Sequence, residues 1–149
     1  IKGEIRMDIL NTFRISGSAL RAQSLRLDTI SSNLANVETT STPEGGPYKK
    51  KSVHFQSSPL SFKEQLDGQM KNSTQGVEVT KIVEDDTPPR KVYNPSHPDA
   101  GEDGYVEMPN ISVLEEMVDM MSATRSYQAN VTTIKMAKRM ALKALEIGR

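Results

Sequence analysis

An α+β fold is predicted, with two long terminal helices paired as a coiled-coil-like unit around a small antiparallel β-rich middle unit. Three features of the 149 residues carry this. Apolar residues recur every seven positions near both ends of the chain. The stretch between them is rich in Pro, Gly and short β-branched runs. Apolar content is 36%, with 5% aromatics and no Trp, too little for a large dry core, so helix seams, partner contacts or a small β-core must stabilise the fold.

The first helix is read over 7–36. Phe13, Leu20, Leu27 and Leu34 form an unbroken seven-residue series. Its companion series is Ile9, Ser16, Gln23, Ile30 and Val37, so the seam has a polar middle. Gly17 weakens the helix by about 1 kcal/mol relative to Ala and permits a bend or a close approach by a neighbour. The helix ends on SSNLANVETT, residues 31–40. Asn is a poor interior residue because its amide competes for local backbone groups. Asn33 and Asn36 lie at i and i+3 on one face, placed to bind carbonyls of this chain or the next.

Residues 37–109 are read as a β-rich middle region. TTSTPEGGPY is turn chemistry. KKSVHFQ and GVEVTKIVE read as strands, and KVYN and GYVEM as shorter ones, giving three or four strands. DDTPPR ends the second strand because Pro lacks a ladder donor. A flexible loop is expected near 57–75.

The last helix is read over 110–148. Ser112 and Glu115 match a capping box. Glu115, Glu116 and Asp119 precede Lys135, Lys138, Arg139 and Lys143, the order the helix dipole favours, and Gly148 suits the C′ position. At 1.5 Å per residue the rod is roughly 50 Å long. One seam series is Val113, Met120, Tyr127, Ile134 and Ala141, the other Met117, Thr124, Val131, Lys138 and Leu145. Leu114, Met121, Ala129, Met136, Met140, Ala144 and Ile147 form an apolar set off that seam. A helix apolar on more than one side is buried in something larger, here expected to be other subunits. The ends are therefore expected to gain order on assembly.

Chemistry is hard to find in this chain. The absence of Cys excludes disulfides and thiolate chemistry within these residues. Zero formal net charge argues against nucleic-acid binding, and the KKK run at 49–51 reads as a solvated strand edge. No apolar run approaches a membrane span, and no cleavable signal precedes the first helix. His54 and His97 lack partners at ligand spacing, and neither is read as a metal or catalytic residue. DAGEDG, 99–104, lacks the chelating Glu of a calcium loop, so a turn is the better reading. Glu84, Asp85 and Asp86 alternate faces and do not make a paired-carboxylate site. No phosphate loop or dinucleotide fingerprint is present. No enzyme, cofactor or metal is expected.

The segment SGSALRAQSLRLDTISSNLANVETT, 16–40, resembles the N-terminal helix and motif of flagellar axial proteins, the rod, hook and hook-associated subunits. Ser31 to Asn36 carries their Ser-x-Asn-Leu-Ala-Asn signature. Residues 93–110 and 108–148 resemble the short rod members of that family, most specifically at Arg125-Ser126-Tyr127-Gln128-Ala129-Asn130. The likeness covers about 9–56 and 76–148. It implies a non-enzymatic subunit of the proximal rod, the drive shaft that carries motor torque across the periplasm. It also implies export without a cleaved signal, and partners among other copies, other rod subunits, adaptor proteins at the rod base, the export apparatus and a surrounding ring. Nucleic acid and direct membrane insertion are not implied. On this reading Phe13, Leu20, Leu27, Ile30 and Leu34 pack with Met117, Met120, Tyr127, Val131, Ile134 and Leu145, within and between subunits. Asn33, Asn36, Gln128 and Asn130 make polar contacts that fix register. The alternative from the residues alone is a soluble coiled-coil adaptor or binding module.

Overall fold

The computed structural model describes residues 2–58 and 75–147, with side chains described over 10–58 and 75–146. Its elements run in the order α1 (Lys2–Ala35), β1 (Lys51–Ser57), β2 (Val77–Glu84), β3 (Arg90–Tyr93), β4 (Tyr105–Met108) and α2 (Val113–Ile147). Two long helices thus frame two small antiparallel sheets, the α+β arrangement the sequence predicts. The loop expected near 57–75 lies, apart from its edges, outside the described residues, as does Gly148.

The strands form two separate hairpin-like pairs, β1–β2 and β3–β4, rather than one sheet. The physical reason lies between them: Pro88 and Pro89 have no N–H to extend a ladder from β2 into β3. In the first pair the register slips between His54 and Phe55, which oppose Lys81 and Val79, leaving Thr80 as the extra residue of a bulge. In the second pair Tyr93 opposes Tyr105, with the rings edge-on at 5.3 Å. Gly104 closes that loop at φ +74°, where a Cβ would sit 2.9 Å from the Tyr93 ring, so both backbone and space require glycine.

The helices run antiparallel, since Asn33 meets Glu116 and Arg26 meets Asp119. The core between and beside them is made of small residues: Ala22, Ala123 and Ala137 are buried, with Ile30, Val106 and Ile111. Small side chains bring helix axes close. The inward residues of α2 are Glu116, Ala123, Asn130 and Ala137, together with Met120, Ile134 and Ala141 and, at the rim of the same series, Tyr127. The second of these series is the one read from sequence. The first is displaced by one residue from the expected 117-124-131-138-145 series. The heptad reading favours large apolar residues, whereas a closely approaching helix selects Ala and tolerates one paired acid.

α1 has two partners, α2 on one side and the β1–β2 sheet on another, whereas among the described elements α2 touches only α1. α1 meets the start of β2 at Ser18. Its hydroxyl accepts from the Val77 amide at 3.0 Å and donates to the Ile15 carbonyl at 2.7 Å. A Cβ on Gly76 would come within 2.7 Å of that oxygen, so glycine lets β2 start against the helix. The close approach expected at Gly17 is therefore made one residue later. Around Gly17 itself nothing lies within 4 Å of an added Cβ.

α2 begins on Ser112, whose hydroxyl accepts the Glu115 amide at 3.4 Å, the forward half of the capping box. Its first turn carries Glu115 and Glu116, but its last turn has no basic residue. The cations of the expected dipole pattern stop at Lys143, just short of that turn.

Replacing Ala123, which is fully buried, with Leu is expected to lower stability by about 1–3 kcal/mol through overpacking. Urea denaturation followed by helical circular dichroism measures this, and an unchanged midpoint would contradict close helix contact at this position.

Candidate functional site

The C-terminal end of α1, the start of β1 and the N-terminal end of α2 meet at one buried polar junction. Asn33 and Glu116 are its centre, each 1% exposed, and they are the largest fully buried side chains described. A buried polar group must be fully paired or it destabilises the fold. Asn33 meets that condition completely. Its amide nitrogen donates to the Lys51 carbonyl at 2.8 Å and to Glu116 Oε2 at 3.0 Å. Its amide oxygen accepts from the Lys51 backbone N–H at 2.9 Å and the Tyr48 hydroxyl at 3.2 Å. All four hydrogen-bonding positions of the amide are used. By pairing with both backbone groups of Lys51, the side chain imitates a neighbouring strand and fixes where β1 begins.

Glu116 is held by opposite charge. Lys50 Nζ lies 2.8 Å from Glu116 Oε1, an ion pair whose angles fall outside the hydrogen-bond range, since that oxygen has no geometrically satisfied hydrogen bond. The Glu116 carboxylate raises the Lys50 ammonium above its ordinary value of 10.5, against the opposing effect of burial and with help from Glu115 and Asp119. The KKK run is therefore not a uniformly solvated edge. Lys50 turns inward to α2, while Lys49 and Lys51 sit 3.4 Å from Asp86 and Glu84 respectively. The adjacent acids thus have cross-strand partners, and Asp85 accepts the Thr87 amide at 3.0 Å.

Farther along the helix pair, Arg26 and Asp119 form an ion pair at 3.2 Å. On the other side of the junction Thr40 donates to Asp99 at 2.7 Å, tying the chain that leaves α1 to the β3–β4 loop. The Asp99 region is thus a braced turn, and His97 Nδ1 accepts the Asp99 amide at 3.1 Å. Among the described residues no group of three or more His, Cys, Asp or Glu is placed to hold a metal ion.

The expected seam residues fall into two groups. Ile30 is buried, and Phe13, Leu20, Leu27, Leu34, Met120, Val131 and Ile134 are half-buried. Tyr127 is at the rim, and Met117 and Leu145 are 50% and 62% exposed, outside the intrachain seam. Of the polar set, only Asn33 joins two elements. Asn36 binds locally, donating to the Ser32 carbonyl at 2.8 Å and accepting from Thr39. Asn130 donates to the Ser126 carbonyl at 2.9 Å within α2, and Gln128 lies exposed. Sequence reasoning missed Tyr48, Lys50 and Glu116. The available signal was a Glu in phase with Ala123 and Ala137.

A second surface lies on the far side of α2. At about 100° per residue, Leu114, Val118 and Met121 point opposite to Glu116 and Ala123. They are 73%, 54% and 53% exposed, and Met117 beside them is also open. This apolar stripe lies on the side of α2 that α1 leaves uncovered.

Two family models match the chain: "Flagella basal body rod protein" over residues 13–41 and "Flagellar basal body rod FlgEFG protein C-terminal" over residues 102–147. The two stretches hold most of the helix pair with Asn33 and Glu116, while Tyr48, Lys50 and Lys51 of the junction lie between them. The chain is 47% identical to the flagellar basal-body rod protein FlgC of Bacillus subtilis, covering 96% of this chain and 100% of the relative. It is 45% identical to FlgC of Salmonella typhimurium, again over 96% and 100%. FlgC of Borreliella burgdorferi is 40% identical over 95% of this chain and 98% of its own.

Asn33→Ala is expected to cost about 3 kcal/mol, because it strands several buried partners at once. Asn36→Ala, which loses only local bonds, is expected to cost about 1 kcal/mol. Chemical denaturation of the two variants compares them, and equal losses would remove Asn33 from its special place. The Lys50 pair also sets a pH dependence. Its folded-state value is raised, so its contribution is complete below 10.5 and disappears as pH climbs through the higher folded value. Lys50→Met should therefore flatten the alkaline fall in melting temperature above 10.5, while unchanged curvature would count against the pair.

Proposed function

The chain belongs to the FlgC family of flagellar basal-body rod proteins, structural subunits of that rod, and we propose that it assembles there through the open face of α2. The observation that carries this reading is the two-sided character of that helix. One side packs on α1, and the opposite side presents Leu114, Val118 and Met121 with no described element against them. Burying each such side chain fully is worth about 1.5–3 kcal/mol, enough in sum to favour association over exposure.

On this reading neighbouring rod subunits, whether further copies or relatives with the same helices, cover the open face of α2. Leu142 and Leu145, exposed at 52% and 62% on another side of α2, add further apolar surface near the end of the helix. The rod is the shaft that carries torque across the periplasm, and its stiffness comes from close helix packing. Twisting it requires many such contacts to shear together. The Asn33–Glu116–Lys50 junction holds the sheet at a fixed angle to the helices, so the middle region moves with the shaft. Adaptor proteins at the rod base and a surrounding ring are the further partners of this reading. Subunits reach the site by export without a cleaved signal. Helices that are only half covered in the lone chain suit delivery before full packing.

Val118→Asp tests the open face separately from the fold. Because Val118 is 54% exposed, the variant is expected to keep its melting temperature. In a flagellated bacterium where this chain replaces the resident copy, rods and swimming should be lost while the protein is still made. Normal swimming with Asp at this position would overturn the assignment of this face.

A further inference from the structure

The open face of α2 carries an unusual share of the chain's methionine. The sequence has eight Met and neither Cys nor Trp, so thioether sulfur is its most readily oxidised group. Four of the eight lie exposed on α2 in two pairs spaced i, i+4. Met117 and Met121 are 50% and 53% exposed, and Met136 and Met140 are 58% and 63% exposed. Met108 and Met120 are half-buried, and Met120 faces the seam. Among the described residues oxidant access is thus graded by position, with the accessible sulfurs on the part of α2 left open by the intrachain packing.

We propose that Met117, Met121, Met136 and Met140 form a reversible oxidation site that controls whether the subunit can assemble. This rests on the reading above that the open face is covered in the rod. The oxidant is a peroxide. The thioether lone pair attacks one peroxide oxygen and the O–O bond breaks. Sulfur keeps that oxygen as a sulfoxide, losing two electrons, and the other oxygen leaves as water when the oxidant is hydrogen peroxide. A flexible apolar side chain thereby becomes polar and chiral. Burying an S–O dipole against a neighbour's apolar face without a donor is unfavourable, so an oxidised subunit is rejected. Assembled subunits have these sulfurs covered and are protected. Reversal consumes two thiols, forming a disulfide and water. The chain contains no thiol, so that reductant is a separate dithiol sulfoxide reductase.

The test uses hydrogen peroxide on the purified chain and on growing cells. Peptide mass spectrometry of the purified chain should show sulfoxide at Met117, Met121, Met136 and Met140 several-fold faster than at Met108 and Met120. A flat distribution overturns the proposal. In a flagellated bacterium carrying this chain as its only copy, a sublethal peroxide pulse during rod building should cut rods per cell several-fold. A variant with M117L, M121L, M136L and M140L, apolar and close in volume, should resist the pulse. Equal loss in both overturns the proposal. A third readout needs no variant and decides alone if the quadruple variant builds no rods without peroxide. Sulfoxide at the four positions should be depleted several-fold in isolated rods relative to the unassembled pool. Equal sulfoxide in both pools overturns the oxidation site and leaves the rod reading intact. Absence of the untreated native chain from isolated rods overturns the rod reading itself.

Discussion

The pairing of one amide with one strand residue governs the shape of this subunit. Asn33 uses every hydrogen-bonding position it has, spending two on the backbone of Lys51, one on Tyr48 and one on Glu116. Through those bonds the last turn of α1, the first residue of β1 and the first turns of α2 share a single fixed point. Glu116 alone would be an uncompensated buried charge, which strongly destabilises a fold. Lys50 makes it tolerable, and Lys50 is in reach only because Asn33 has already set the register of Lys51. The polar junction and the apolar seam are therefore not separate devices. The seam positions Glu116, and the junction decides what hangs from the seam.

What could be read from the sequence followed from periodicity and turn chemistry. The two helices, their pairing and the turn after α1 were visible because Leu20, Leu27 and Leu34 repeat and because Gly45, Gly46 and Pro47 cannot continue a helix. Heptad phase in α2 was half visible. The Met120–Tyr127–Ile134–Ala141 series announces itself by size, while Ala123 and Ala137 look like ordinary helix formers until a neighbour presses on them. The junction was legible only at Asn33. A Glu in the first turn reads as dipole compensation, and a run of three Lys reads as solvated surface. Only the folded backbone shows that Lys50 faces α2 while Lys49 and Lys51 face acids across the strand.

The same contrast explains why α1 and α2 differ although both carry seven-residue patterns. α1 lies between α2 and the β1–β2 sheet, and Ser18 with Gly76 lets the sheet come close. Among the described elements α2 rests on α1 alone, and its far side keeps Leu114, Val118 and Met121 in solvent. One helix is thus committed within the subunit and the other is half uncommitted. For a subunit of the basal-body rod, that division separates the part that defines the building block from the part available to its neighbours.

The Asn33–Glu116 bond joins positions 83 residues apart, and the Arg26–Asp119 pair joins positions 93 apart. Contacts of such long sequence separation are slow to form because a large loop must close before anything rewards it. They also impose an order in time. A chain emerging N-terminus first, as from a ribosome, presents α1 long before α2 exists to meet it. Asn33 can meet Tyr48 and Lys51 soon after α1 emerges, but its bond to Glu116 must wait until the last quarter of the chain begins to appear. A truncation between Lys51 and Glu116 therefore leaves half a junction, with Asn33 bound to Tyr48 and Lys51 but without the contact that locks the second helix to them.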